Sequence, residues 1–168
     1  MTKLEEMLSK VKVIASEIDG ILTEDLVHTD ELGNVPFKKY CVKDFEAINE
    51  LKKTFTFVFV ASDPRVNFNL CRSKNIPFYF DKKNKNDALR KAMKKYGVGA
   101  EEVLYIGRSF SDLENIRMIP FSLCPDDAID EVKAVACHSL GSFGGYGVLC
   151  EVYDILKPEI SRRKTLTK

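Results

Sequence analysis

The sequence predicts a three-layer α/β/α protein, a Rossmann-like parallel sheet with helices on both faces. Three observations carry this. Short apolar runs rich in β-branched and aromatic residues alternate with segments of helical spacing along most of the chain, the pattern of βαβ units. The runs are apolar at consecutive positions rather than at every second one, as in strands buried on both sides. Polar residues follow the ends of several runs, where open α/β sheets bind ligands. The chain has 168 residues, 45% of them hydrophobic and 30% charged, which fits one domain around one core. That domain is placed at residues 1–160, with residues 161–168 a basic, frayed tail.

In chain order, Leu4, Met7 and Leu8 form a short amphipathic turn that packs on the domain. Val13–Ser16 opens the first strand. Alternation along it sends Glu17 and Asp19 to one side, and Gly20 ends it. The runs Leu26–Thr29 and Val35–Val42 flank Asp30–Asn34, where Gly33-Asn34 signals a β-hairpin. Pro36 puts the second arm at an edge. Asp44 caps a helix through Lys53. Phe57–Ala61 is the second strand, and Ser62-Asp63-Pro64 ends it and starts a helix carrying Val66, Leu70 and Cys71. Ile76–Phe80 is the third strand. Asn86 or Asp87 caps a helix, Ala88–Tyr96, that Gly97 terminates. Val103–Ile106 is the fourth strand. Ser111-Asp112 caps a short helix through Met118, Phe121–Cys124 is the fifth strand, and Asp126-Asp127 caps a helix from Ala128 to Val135. A glycine-rich loop, Gly141–Gly147, leads to a last helix ending at Leu156.

Composition narrows the function. A formal net charge of +1 gives no bulk attraction to nucleic acid or to a membrane surface. No apolar run is long enough to span a bilayer, and the N-terminus has no signal-peptide core. Cys41, Cys71, Cys124, Cys137 and Cys150 are scattered and odd in number. They read as reduced residues, mostly in the core, of a cytoplasmic protein.

The strand ends deliver Glu17, Asp19, Ser62, Lys85 and the Gly107–Asp112 loop to one rim. With Asp19-Gly20-Ile21-Leu22-Thr23, the following hairpin, Val42-Lys43-Asp44, Tyr105-Ile106-Gly107, Pro125-Asp126-Asp127-Ala128 and Gly144-Gly145-Tyr146-Gly147, this order resembles the haloacid dehalogenase superfamily. More narrowly, it is similar to the 3-deoxy-octulosonate-8-phosphate phosphatases and the related C-terminal domain of animal CMP-sialic acid synthetases. The resemblance runs from about Lys10 to Leu156 and implies a fold without a cap domain. It implies an attacking carboxylate at position 17 and an acid/base at Asp19. It further implies phosphate ligands at Ser62 and at Lys85, with Lys82 and Lys83 nearby, and Mg²⁺ at Glu17, Asp19 and Asp112. It also implies a homotetramer assembled through the Leu26–Val42 hairpin.

Two departures bear on activity. Glutamate at position 17 is one methylene longer than the family's aspartate, and a shift of about 1 Å in an attacking atom can cost roughly 10²-fold. Arg108 stands where the family's metal loop has an aspartate, which puts a fixed positive charge where a dication belongs. Asp63 replaces a glycine beside Ser62, and Tyr146 and Cys150 stand where basic residues are usual. Each residue also has a plainer reading. Glu17 and Arg108 form an ion pair, Asp19 caps the following turn, Ser62 and Asp112 cap helices, Lys85 is solvated, and the glycines permit tight turns. The reading adopted is a degenerate homologue, weakly active or inactive, that assembles with itself or binds an anionic small molecule. The alternative is a Mg²⁺-dependent phosphatase acting on a sugar-acid phosphate such as 3-deoxy-octulosonate 8-phosphate. A partner-binding module working through the tail and hairpin is a third possibility.

Overall fold

The computed structural model describes residues 2–166. Six parallel strands form one sheet, with β1 (Val13–Ser16), β2 (Thr56–Ala61), β3 (Phe78–Phe80), β4 (Val103–Ile106), β5 (Phe121–Cys124) and β6 (His138–Ser139) in the order β3-β2-β1-β4-β5-β6. The order reverses around β1, the first strand laid down, so its C-terminal end faces the crevice where such sheets bind ligands. The five strands expected outside the hairpin all form, and β6 is an addition too short for a periodicity signal.

Side-chain alternation divides the core. Ile14, Phe57, Phe59, Leu104, Ile106, Phe121 and Leu123 face one way, against α1 (Lys3–Lys10), α2 (Val42–Leu51), α3 (Arg65–Ser73) and α7 (Val148–Leu166). Val13, Ala15, Val58, Val60, Val103 and Tyr105 face the other, against α4 (Lys85–Tyr96), α5 (Leu113–Met118) and α6 (Asp130–Lys133). Each fully buried Leu or Ile contributes about 1.5–3 kcal/mol, so two apolar faces sustain the three-layer arrangement.

Several local expectations are corrected. The Asp30–Asn34 turn forms, with Asp30 accepting from the backbone of Leu32 and Asn34 at 2.9 and 2.8 Å. Its arms nevertheless make no strand ladder among the described residues. They meet where the rings of His28 and Phe37 stack at 4.8 Å. Pro36 removes a donor, and a lone two-stranded ribbon is marginal in water. The tail is not frayed over residues 161–166. There α7 continues through Pro158 to Leu166, because Arg163 donates to the carbonyls of Ser9 and Val11 at 3.1 and 2.8 Å and its guanidinium lies over the Phe55 ring. Thr167 and Lys168 lie outside the described residues.

Asp44 sits inside α2 and caps another helix. Its Oδ1 accepts from the backbone N–H groups of Leu149 and Cys150 at 3.0 Å each, at the start of α7. Asn84, not Asn86 or Asp87, caps α4, which begins at Lys85. Asp127 accepts from the Gly144 N–H at 2.9 Å rather than capping α6, which starts only at Asp130. Of the five unbridged cysteines, Cys71 and Cys124 are buried, Cys41 and Cys150 are half-buried and Cys137 is exposed. The core therefore claims fewer of them than expected.

Candidate active site

The site is built where β1 and β4 run side by side, Ser16 opposite Ile106. The Glu17 N–H donates to the Ile106 carbonyl at 2.9 Å, which holds the start of the loop after β1 against β4. β1 ends at Ser16, so strand alternation no longer governs Glu17 and Asp19. The two acids enter separate networks.

Glu17 is buried. Its Oε1 accepts from the Ile18 N–H at 2.8 Å, and its Oε2 meets the Lys85 ammonium. Lys85 comes from the first turn of α4 and is itself buried, whereas Lys82 and Lys83 are exposed. The same ammonium lies 2.8 Å from Asp112 Oδ1, which also accepts from the Tyr105 hydroxyl at 2.6 Å. Asp112 Oδ2 accepts from the backbone N–H of Arg108 and Ser109 at 2.9 and 3.0 Å, and from the Ser109 hydroxyl at 3.0 Å.

Burial pushes the Glu17 carboxyl up to about 7, against the pull of Lys85. For Lys85, burial works against the charge, but Glu17 and Asp112 together hold its pKa above the ordinary lysine value. Burial also opposes the charge on Asp112, yet Lys85 and the hydrogen bonds keep its pKa below the ordinary carboxylate value. The network therefore holds Asp112 and Lys85 charged and leaves Glu17 as the acid that titrates near neutrality. The two carboxylates share one ammonium, so the ionisation of each depends on the charge of the other.

Asp19 turns toward the Leu26–Val42 segment. Lys38 donates to both of its oxygens at 2.8 Å, and Asn67 of α3 donates to Oδ2 at 2.9 Å. The Lys38 side chain is only 1% exposed. Asp19 does not cap the following turn. Thr23 does so, its hydroxyl accepting from the N–H groups of Gly20 and Asp25 at 3.0 and 3.1 Å.

Arg108 does not pair with Glu17. Its side chain lies across Gly20, where a Cβ would stand 2.0 Å from its Cδ. Its Nη1 lies 2.7 Å from Asp25 Oδ2, an ion pair without hydrogen-bond geometry, and the buried Nε has no hydrogen-bond partner among the described residues. Ser62, at the end of β2, is half-buried. Asp63 beside it pairs with Arg65 at 2.7 Å, which holds the Asp63 carboxyl below its usual range.

The late glycines serve packing. A Cβ on Gly144 would lie 2.3 Å from the Gly20 carbonyl oxygen, and one on Gly145 2.9 Å from backbone atoms of Thr23 and Glu24. Only glycine lets the two backbones approach so closely. Tyr146 donates to Glu24 at 3.1 Å, and Glu24 also meets Lys39 at 2.8 Å.

Of the expected Mg²⁺ ligands, Glu17 and Asp112 meet on the Lys85 ammonium, and Asp19 turns away to Lys38. Among the described residues no three acidic, His or Cys side chains are arranged to hold a metal. Glu17 is engaged with Lys85, Asp19 with Lys38, and both oxygens of Asp112 with donors. Arg108 adds a like charge, and like charges ~4 Å apart repel by roughly 4 kcal/mol at an effective dielectric of about 20. As they stand, these side chains do not fit a divalent cation.

Acids, a lysine and a polar loop gathered beyond the carboxyl ends of the central strands of a parallel sheet lie where such sheets place a ligand site. The chain belongs to the haloacid dehalogenase-like hydrolases, whose family model matches residues 9–149. Among its relatives, the 3-deoxy-D-manno-octulosonate 8-phosphate phosphatase KdsC of Haemophilus influenzae is 29% identical over 156 residues, 91% of this chain and 86% of that protein. The cobalt-bound structure of the Haemophilus influenzae deoxy-D-mannose-octulosonate 8-phosphate phosphatase is 26% identical, covers 92% of both chains and superposes with a TM-score of 0.85. The Moraxella catarrhalis phosphatase, solved with magnesium, phosphate and a KDO molecule, shares the fold at a TM-score of 0.86 and 21% identity, over 100% of this chain and 99% of that one.

Sequence reasoning missed Lys38, Asn67, Tyr105 and Asp25. Asn67 had a signal, a polar residue three and four positions before Leu70 and Cys71 on the apolar side of α3. Lys38 had none, because Lys39 beside it is chemically identical and points instead to Glu24.

Proposed function

We propose that this chain is a slow phosphomonoester hydrolase acting on a phosphorylated sugar acid. The observation that carries this is the Glu17 carboxylate held against a lysine ammonium at the end of β1, in a chain 29% identical to an octulosonate-phosphate phosphatase. In the proposed reaction a Glu17 oxygen bonds to phosphorus as the bond from phosphorus to the sugar oxygen breaks, and that oxygen takes a proton passed through Asp19 from the Lys38 ammonium, which donates to both Asp19 oxygens. Water then attacks the glutamyl phosphate and returns a proton through Asp19 to Lys38. Inorganic phosphate leaves and Glu17 is regenerated. Ser62 and Lys85 steady the phosphoryl oxygens.

The longer side chain at position 17 sets the attacking atom off its line and makes the reaction slow, by about 10²-fold. Release of inorganic phosphate from 3-deoxy-octulosonate 8-phosphate and from an aryl phosphate tests the reading. Glu17→Gln abolishes it and Glu17→Asp raises it. A wild-type rate no higher than that of Glu17→Gln contradicts it.

A second reading rests on a different observation. Leu26, Leu32, Phe37 and Val42 are 69%, 87%, 57% and 72% exposed on a segment whose arms form no strand ladder among the described residues. We propose that the Leu26–Val42 segments of neighbouring copies cover one another in a homotetramer, since unpaired arms need such cover. The unbridged cysteines support a cytoplasmic setting.

A further inference from the structure

The rim gathers four carboxylates, and each meets a cation of the chain itself. Lys85 serves Glu17 and Asp112, Lys38 serves Asp19, and Arg108 serves Asp25. We infer that Arg108 supplies the positive charge a phosphate group needs here, so that phosphate binds to this rim without a divalent cation. The inference rests on the phosphate reading above and goes beyond it, because the relatives' structures carry cobalt or magnesium.

Three observations support it. Arg108 is held in place, since its side chain lies across the Cα of Gly20 and its guanidinium meets Asp25. Its Nε and Nη1 are buried without hydrogen-bond partners among the described residues, and a guanidinium fork matches phosphate oxygens well. The group that now neutralises it is open to displacement: the Asp25 side chain is 47% exposed, and its pairing with Arg108 Nη1 lacks hydrogen-bond geometry. Meanwhile the acids that would have to bind a dication have spent their oxygens on these cations and on backbone N–H groups. An incoming phosphate gives Arg108 the acceptors it lacks, and releases Asp25 to solvent.

The test uses the full-length protein. Thermal unfolding is followed with inorganic phosphate, once in EDTA and once in Mg²⁺, and free Mn²⁺ is measured by electron paramagnetic resonance as protein is added. We expect phosphate to raise the midpoint equally in both buffers, Arg108→Gln to lose most of that rise, and free Mn²⁺ to be unaffected. Arg108→Lys retains the charge without the fork and gives an intermediate rise, so the result does not depend on one variant folding. Stabilisation by phosphate only in Mg²⁺, or one Mn²⁺ bound per chain, overturns the inference and leaves the phosphate reading standing. No stabilisation in either buffer overturns the phosphate reading itself and the inference with it.

Discussion

Glu17 is the attacking group of the proposed reaction, and its titration gives a signed prediction. Burial raises its carboxyl from the ordinary 4.5 to about 7. Its contribution to stability is therefore complete below the ordinary value and is lost as pH rises through about 7. Wild-type protein should lose on the order of 1–3 kcal/mol between pH 5 and pH 8 that Glu17→Gln does not lose, measured by urea unfolding at each pH. Asp112 acts in the opposite sense, since its lowered pKa confines its loss of stability to acid conditions. The same shift predicts that phosphate release rises with pH through about 7, because only ionised Glu17 attacks. A flat profile across that range contradicts the assignment of Glu17 as nucleophile.

Residue identities were legible in the sequence where chemistry and strand position coincide. Glu17, Lys85 and Asp112 meet as one buried network, and each lies at an element boundary that apolar runs mark out. The partners of the charges were not legible. Arg108 and Glu17 seemed a natural pair, but Lys85 reaches Glu17 first, and Arg108 is carried over Gly20 to Asp25, which nothing in the local sequence marks.

At the scale of elements, α7 and the loop before it are held from a distance. Asp44 of α2 caps α7 through two backbone N–H groups. Asp44→Ala leaves those donors without their partner and should cost about 0.5–2 kcal/mol by urea unfolding, as loss of a helix cap does. Gly144→Ala drives a methyl group toward the Gly20 carbonyl. It should cost about 1–3 kcal/mol, as overpacking does, and should disturb the loop that carries Asp19. An Ala variant as stable as wild type would mean that the two loops separate easily.

The strands were readable because burial on both faces imposes continuous apolar runs. The Leu26–Val42 arms are interrupted by His28, Thr29, Lys38 and Lys39, and no ladder forms between them among the described residues. The extension of α7 was hidden because its hold comes from the Arg163 contacts with Ser9, Val11 and Phe55, far away in sequence.

At the scale of the whole molecule, the exposed apolar arms predict assembly. Light scattering of the purified chain at micromolar concentration should give four times the mass of one chain, and Leu32→Asp with Phe37→Asp should lower it. A monomeric mass for the wild-type chain contradicts the proposed tetramer. Among the described residues no helix is long and apolar enough to cross a membrane.

The parallel sheet, its reversal around β1 and Arg108 at that point fit the proposal that this fold binds phosphate with its own charge. The initial rate of phosphate release from 3-deoxy-octulosonate 8-phosphate, measured in EDTA and again in Mg²⁺, tests it most directly. The expected rate is slow, equal in the two buffers and abolished by Glu17→Gln. A rate that appears only with Mg²⁺, or none above that of Glu17→Gln, contradicts it.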